Sequence, residues 1–115
     1  MLPSSRKAFT LVEIMITVVI IGLLAAMAMP TFNRLRIVSQ DKAVYNNARQ
    51  LASASDQYML EHGVTTALYA DLVGPDRYIK VIQLVANETY PNVYTSNEPI
   101  VVTNIAGLRT VTFER

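Results

Sequence analysis

Few residues of this chain could do chemistry, and their spacing narrows which chemistry that is. Between Lys7 and Arg34 the only charged side chain is Glu13, set in an apolar run that continues to Met29. A carboxylate inside an apolar helix of bilayer length costs about 2.5–3.5 kcal/mol at its centre and less towards its ends. Glu13 therefore needs a cationic partner or a task. Phe9 stands four residues earlier, and positions i and i+4 share one face of an α-helix. A positive charge on that face would pair with the carboxylate, and low dielectric would strengthen the attraction. Elsewhere the chemistry thins out. His62 is the only histidine, placed where it would serve a helix dipole or cap a carbonyl rather than bind metal. Asp71, Asp76, Glu88 and Glu98 are scattered and form no D-x-D pattern, so they suggest no calcium loop. Asn87-Glu88-Thr89 fits a three-residue glycosylation pattern, which is too short to weigh. There is no Ser/His/Asp set, no H-E-x-x-H, no P-loop glycine pattern and no cysteine. No enzymatic activity, metal or cofactor is expected.

The elements that must position Glu13 follow from length and hydropathy. A hydrocarbon core about 30 Å thick is spanned by about 20 helical residues, and residues 9–29 supply that length. A removable secretory signal competes with this reading, because Ala26-Met27-Ala28 resembles its cleavage site. Signal cores are shorter, about 7–15 residues, and carry no internal charge. The net charge of +1, and the absence of a basic cluster beyond Arg6-Lys7 apart from Arg34 and Arg36, argue against nucleic acid as the main partner.

Arg6-Lys7-Ala8-Phe9-Thr10-Leu11-Val12-Glu13-Ile14 resembles the processing site of type IV pilins and type II secretion pseudopilins. The resemblance extends over about residues 5–62, with Gly22 and Pro30 at matching places in the helix. It implies cleavage after Ala8, N-methylation of Phe9 by the same prepilin peptidase, and an intersubunit contact by Glu13 that sets register during assembly. The family usually has glycine where this chain has Ala8; alanine is the next smallest side chain, and cleavage is expected to tolerate it.

Proline in a helix removes one hydrogen bond and clashes with the preceding turn, which predicts a kink or local unwinding near Ala26. Gly22 adds a second weak point. Past Pro30 the pattern becomes one-sided. Ile37, Val44, Ala48, Leu51, Ser55 and Tyr58 form a stripe widened by Ala52 and Met59. His62-Gly63 reads as a helix stop, giving one helix over residues 9–62. Thr65-Thr66 followed by residues 67–73 reads as a capped short helix closed by Gly74-Pro75, with Leu68 and Leu72 on one face against the long helix. Strands are expected over residues 92–95, 100–103 and 110–114, the last two forming a hairpin. Laid across the helix, they would bury Ile100, Val102, Val111 and Phe113.

The expected fold is α+β: a long N-terminal α-helix, membrane-spanning then amphipathic, packed against a small head with a short helix and an antiparallel β-hairpin or three-stranded sheet. Its parts are a leader (1–8), a transmembrane and polymerisation helix (9–30), an amphipathic helix (31–63) and the head (64–115). The resemblance implies a structural subunit of a pilus-like filament. Its partners are then other copies of itself in a helical homopolymer, prepilin peptidase, an inner-membrane assembly platform and, before assembly, the lipid bilayer. The precursor belongs in the bacterial inner membrane and the filament outside it or in the periplasm. A type II secretion pseudopilin that drives protein export is the alternative within the family. A small secreted binding module, with residues 1–28 as its signal, is the alternative outside it.

Overall fold

The computed structural model describes residues 10–115. Helix α1 runs Leu11–His62. Thr10 starts it: its carbonyl accepts the Ile14 N–H at 3.2 Å and its Oγ1 accepts the Glu13 N–H at 3.1 Å, which satisfies donors that a helix start leaves open. Gly63 ends it with φ +66°, and the Val64 N–H donates to the Met59 carbonyl at 3.1 Å. This is the six-to-one bond of a Schellman cap, as the His62-Gly63 pair suggested. The unwinding expected near Ala26 is absent, because α1 is helical without a break through Gly22 and Pro30. One missing N–H leaves the hydrogen bonds of the flanking turns in place.

The chain divides into two compact units, Met1–Arg36 and Ile37–Arg115. In the first, every described residue is exposed, including Leu11, Ile14, Val18, Ile21 and Leu24. By length and composition this part of α1 qualifies to cross a membrane. The hydroxyls of Thr17 and Thr31 donate to the carbonyls of Glu13 and Met27, four residues back, at 2.8 and 3.3 Å. Such bonds keep a polar side chain satisfied by its own helix where no water is available.

The second unit closes on the expected stripe of α1. Val44, Ala48, Leu51 and Ser55 have no exposed surface, and Ala52, Ala54 and Met59 are buried beside them. Ile37 was placed on this stripe but is 45% exposed. Against the stripe pack β1 (Thr66–Leu68), α2 (Tyr69–Leu72), β2 (Val93–Thr95), β3 (Ile100–Ile105) and β4 (Arg109–Phe113). The fold is therefore α+β, with a long helix, a short helix and antiparallel strands.

Two details of the head differ from expectation. The short helix has only four residues and no side-chain cap, because 66–68 is a strand. Thr66 pairs with Thr95 and Leu68 with Val93, so cross-strand pairing overrides local helix preference. Leu72 is consequently buried while Leu68 is 51% exposed. Of the two sheet forms expected the hairpin is the one present, made by β3 and β4, while β1 and β2 form a separate two-stranded sheet that was not foreseen. The expected burial of Ile100 and Val102 holds, and Val111 and Phe113 pack partly buried on the same core. Phe113 lies 5.0 Å from Tyr45 between ring centroids.

The same substitution at two glycines of α1 and its cap should act in opposite directions. Neither Gly22 nor Gly63 has a neighbour that an added Cβ would meet. Gly63→Ala should destabilise the second unit by about 1 kcal/mol through its left-handed backbone. Gly22→Ala should strengthen α1 by about 1 kcal/mol. Leu51→Ala should cost about 2–5 kcal/mol. Denaturant unfolding of the full chain in detergent micelles measures all three.

Candidate functional site

Of the residues singled out for processing and assembly, Ala8 and Phe9 lie outside the described residues. Glu13 is the third residue of α1, with its backbone N–H held by the Thr10 hydroxyl. Its side chain is exposed, and neither ion pair found among the described residues involves it. A carboxylate in the first turn is favoured by the helix dipole, typically by about 0.3–1 kcal/mol at an exposed site. That benefit is smaller than the cost of a charge in lipid, so it does not by itself account for Glu13.

Gly22 and Pro30 are exposed on the same helix. At about 1.5 Å and 100° per residue, Glu13 and Gly22 stand about 13 Å apart along the axis on opposite sides. The three residues do not converge on one pocket. They are spaced along an apolar rod, which suits contact with several neighbours and offers no shared site for a small molecule. Among the described residues, no three His, Cys, Asp or Glu side chains come together in a way that could hold a metal ion.

The head contains a polar cluster that its sequence did not disclose. Glu88 is 4% exposed. Its carboxylate accepts the Val85 N–H at 3.1 Å, the Ala86 N–H at 2.8 Å and the Tyr90 hydroxyl at 2.8 Å. Asn47 on α1 donates to Tyr90 Oη at 2.9 Å and to the Gln83 carbonyl at 3.0 Å. The irregular segment between α2 and β2 is thus pinned to the helix by one amide and one carboxylate. Burial alone pushes the Glu88 carboxyl up. The N–H groups of Ala86, Glu88 itself and Val85, with the Tyr90 hydroxyl, outweigh burial and hold it below the usual range. Burial pushes the phenols of Tyr90 and Tyr94 well above their ordinary value.

Two arginines fasten the hairpin at its ends. Arg109 donates to Gln40 Oε1 at 2.9 Å and to the Ile37 carbonyl at 3.4 Å. It also stands 3.1 Å from Asp41 Oδ1 as a charge contact whose geometry is not that of a hydrogen bond. Arg115 reaches Asp56 at 2.6 Å and the buried Ser55 hydroxyl at 2.7 Å, while Ser55 donates to the Ala52 carbonyl at 2.8 Å. His62 does cap a carbonyl: its Nδ1 lies 3.1 Å from the Tyr58 oxygen and its ring stacks on Tyr58 at 4.2 Å. The signal available for these pins was weak. Asn47 sits at the border of the apolar stripe of α1, where an amide has to find partners if it is half covered.

Residues 3–29 match the prokaryotic N-terminal methylation motif. The chain is 39% identical over 67 residues to fimbrial protein EcpC of Eikenella corrodens, covering 58% of this chain and 44% of that one. It is 37% identical over 59 residues to the type IV major pilin protein PilE of Neisseria gonorrhoeae, covering 51% and 35%. To the type IV major fimbrial protein FimA of Dichelobacter nodosus it is 40% identical over 58 residues, covering 50% and 37%. The matched segment thus spans less than half of each of these relatives. No solved structure matches the chain.

Glu88 should contribute an acid-labile part of the head's stability. Its folded pKa lies below the ordinary 4.5. The contribution is therefore complete above that value and is lost as pH falls through the lower folded one. Glu88→Ala should cost about 2–3 kcal/mol at neutral pH, because buried N–H donors lose a charged acceptor. Glu88→Gln should cost less and flatten the acid limb. Urea unfolding of the full chain between neutral and acidic pH measures both.

Proposed function

We propose that this chain, which belongs to the type IV pilin family, is a structural subunit of a pilus-like filament built around its N-terminal helix. The observation that carries this reading is the methylation motif over residues 3–29 together with a stretch of α1, residues 11–29, whose apolar side chains are all uncovered. Each fully covered Val, Leu or Ile is worth about 1.5–3 kcal/mol relative to exposure in water. A surface of that kind needs lipid or other helices around it.

The precursor is held in the inner membrane by this helix. Prepilin peptidase cleaves between Ala8 and Phe9 and methylates the new amine, and an assembly platform in the same membrane draws the subunit into the polymer. In the filament the helix exchanges lipid for its neighbours, with the heads outward. The Glu13 carboxylate pairs with the Phe9 amine of an adjacent subunit and sets register. The pair is strong because both charges sit in a dry apolar surrounding, where an unpaired carboxylate would be costly. Gly22 and Pro30 bound the stretch of helix that stretches most easily as subunits are packed, since one lacks a side chain and the other lacks a donor. The names of the relatives, fimbrial proteins and major pilins, favour a surface pilus over a secretion pseudopilus.

Two measurements test this. Intact mass of the native protein should give a chain that begins at N-methyl-Phe9. A start near Met29 would indicate a cleaved signal, and an intact Met1 a simple anchor. Glu13→Gln should leave the amount of membrane-held precursor unchanged and abolish filaments seen by electron microscopy of the host surface. Normal filaments from Glu13→Gln would refute the register contact.

A further inference from the structure

Within the second unit, a groove of about 520 Å³ lies between α1 and the segment that follows α2. That is the size range of small-molecule sites, about 300–1,000 Å³. The helix contributes Arg49, Ser53 and Gln57, each one turn after the last and so in one line, with Gln50 alongside. The facing wall is Tyr78-Ile79-Lys80, and it is held in place from behind. The Ile79 N–H donates to the Leu72 carbonyl at 2.9 Å, and the Ile79 carbonyl accepts the Gly74 N–H at 2.8 Å. The Tyr78 hydroxyl donates to Glu61, and its ring stands edge-on to Tyr58 with centroids 6.3 Å apart. Glu61 also accepts the Gln57 amide at 3.1 Å, so the one carboxylate beside the groove is already occupied.

The charge of this groove runs against that of its surroundings. The second unit carries six lysines and arginines against eight acids, yet the lining holds two cations, Arg49 and Lys80, and no Asp or Glu among the described residues. Neither cation enters an ion pair among the described residues, whereas Arg109 and Arg115 both do. We infer that the groove binds an acidic sugar, a hydroxylated ring that carries a carboxylate or a phosphate. Arg49 and Lys80 meet the anionic group, the guanidinium through two parallel N–H donors. Gln50 and Ser53, both exposed, offer an amide and a hydroxyl to the ring hydroxyls. Tyr78 and Ile79, half-buried, cover the less polar face of the ring. A bare inorganic anion would use only the two cations, and an apolar ligand would strip water from them without a partner. The walls are fixed by backbone hydrogen bonds, so binding orders little beyond the two long cationic side chains. The site lies wholly within the second unit and does not depend on how the chain assembles.

Saturation-transfer NMR and titration calorimetry test this on the full chain in a nonionic polyoxyethylene detergent. The probes are galacturonate and galactose 6-phosphate, compared with galactose, acetate and inorganic phosphate. At least one acidic sugar should bind saturably and more weakly as salt is raised; which of the two binds tells carboxylate from phosphate. Arg49→Gln and Lys80→Gln should each weaken it about tenfold. Lys42→Gln, which removes a cation outside the groove, should leave it unchanged. Arg49 and Lys80 are exposed, so their variants should unfold in denaturant as the parent does. Acetate or phosphate binding as tightly as the acidic sugars would show that the ring makes no contact, and galactose binding as tightly that the charges make none. Either result would overturn the inference. So would the absence of saturable binding, or binding that survives both substitutions together.

Discussion

The head depends on one stripe of α1. Val44, Ala48, Leu51 and Ser55 are wholly covered, and they provide the backing for both small sheets. A two-stranded sheet has too little buried surface to stand alone in water, and this head consists of two of them with a four-residue helix between. Alanines at 48, 52 and 54 are buried on the packed side of the helix. The larger side chains Leu51, Leu72 and Ile105 are fully buried in the same core. Close packing of this kind is sensitive to the loss of even a few methyl groups.

The head's polar pins follow from the same shortage of regular structure. An irregular connection between α2 and β2 leaves backbone donors without ladder partners, and buried donors must be satisfied somewhere. Glu88 does this for the 85–86 turn, and Asn47 and Tyr90 connect it to the helix. Arg109 and Arg115 act at the two ends of β4, near Gln40 and Ser55 of the helix. Asn47, Arg109 and Arg115 join segments far apart in the chain and restrain the head against α1, whereas Glu88 holds its own local turn.

The first unit obeys the opposite rule. It carries no core of its own, and its threonine hydroxyls turn back on the helix. That is the arrangement a helix adopts when its surroundings offer no hydrogen bonds. A filament of such helices would keep the same internal satisfaction while replacing lipid by neighbouring side chains. Glu13 is the one charged side chain in this apolar stretch, and in the proposed filament it is the residue that would set register.

Much of this was determined by the sequence alone. The length of α1, its exposed apolar half, the buried stripe and the glycine cap all follow from periodicities and residue types that act over a few neighbours. So does the methylation motif, which is one short contiguous segment over residues 3–29. The pairing within the head was decided only by tertiary structure. Residues 66–68 have no local reason to be a strand, and become one because residues 93–95 are brought beside them. In β3 a bulge between Val102 and Ile105 breaks the inward–outward alternation. Ile105, which strict alternation would send to solvent, is fully buried while Asn104 is exposed. Glu88 was legible as a loop acid, and only the fold showed it to be buried against Ala86 and Tyr90. Contacts between residues tens of positions apart leave no period in the chain, so they take their form when the helix offers a surface to close on.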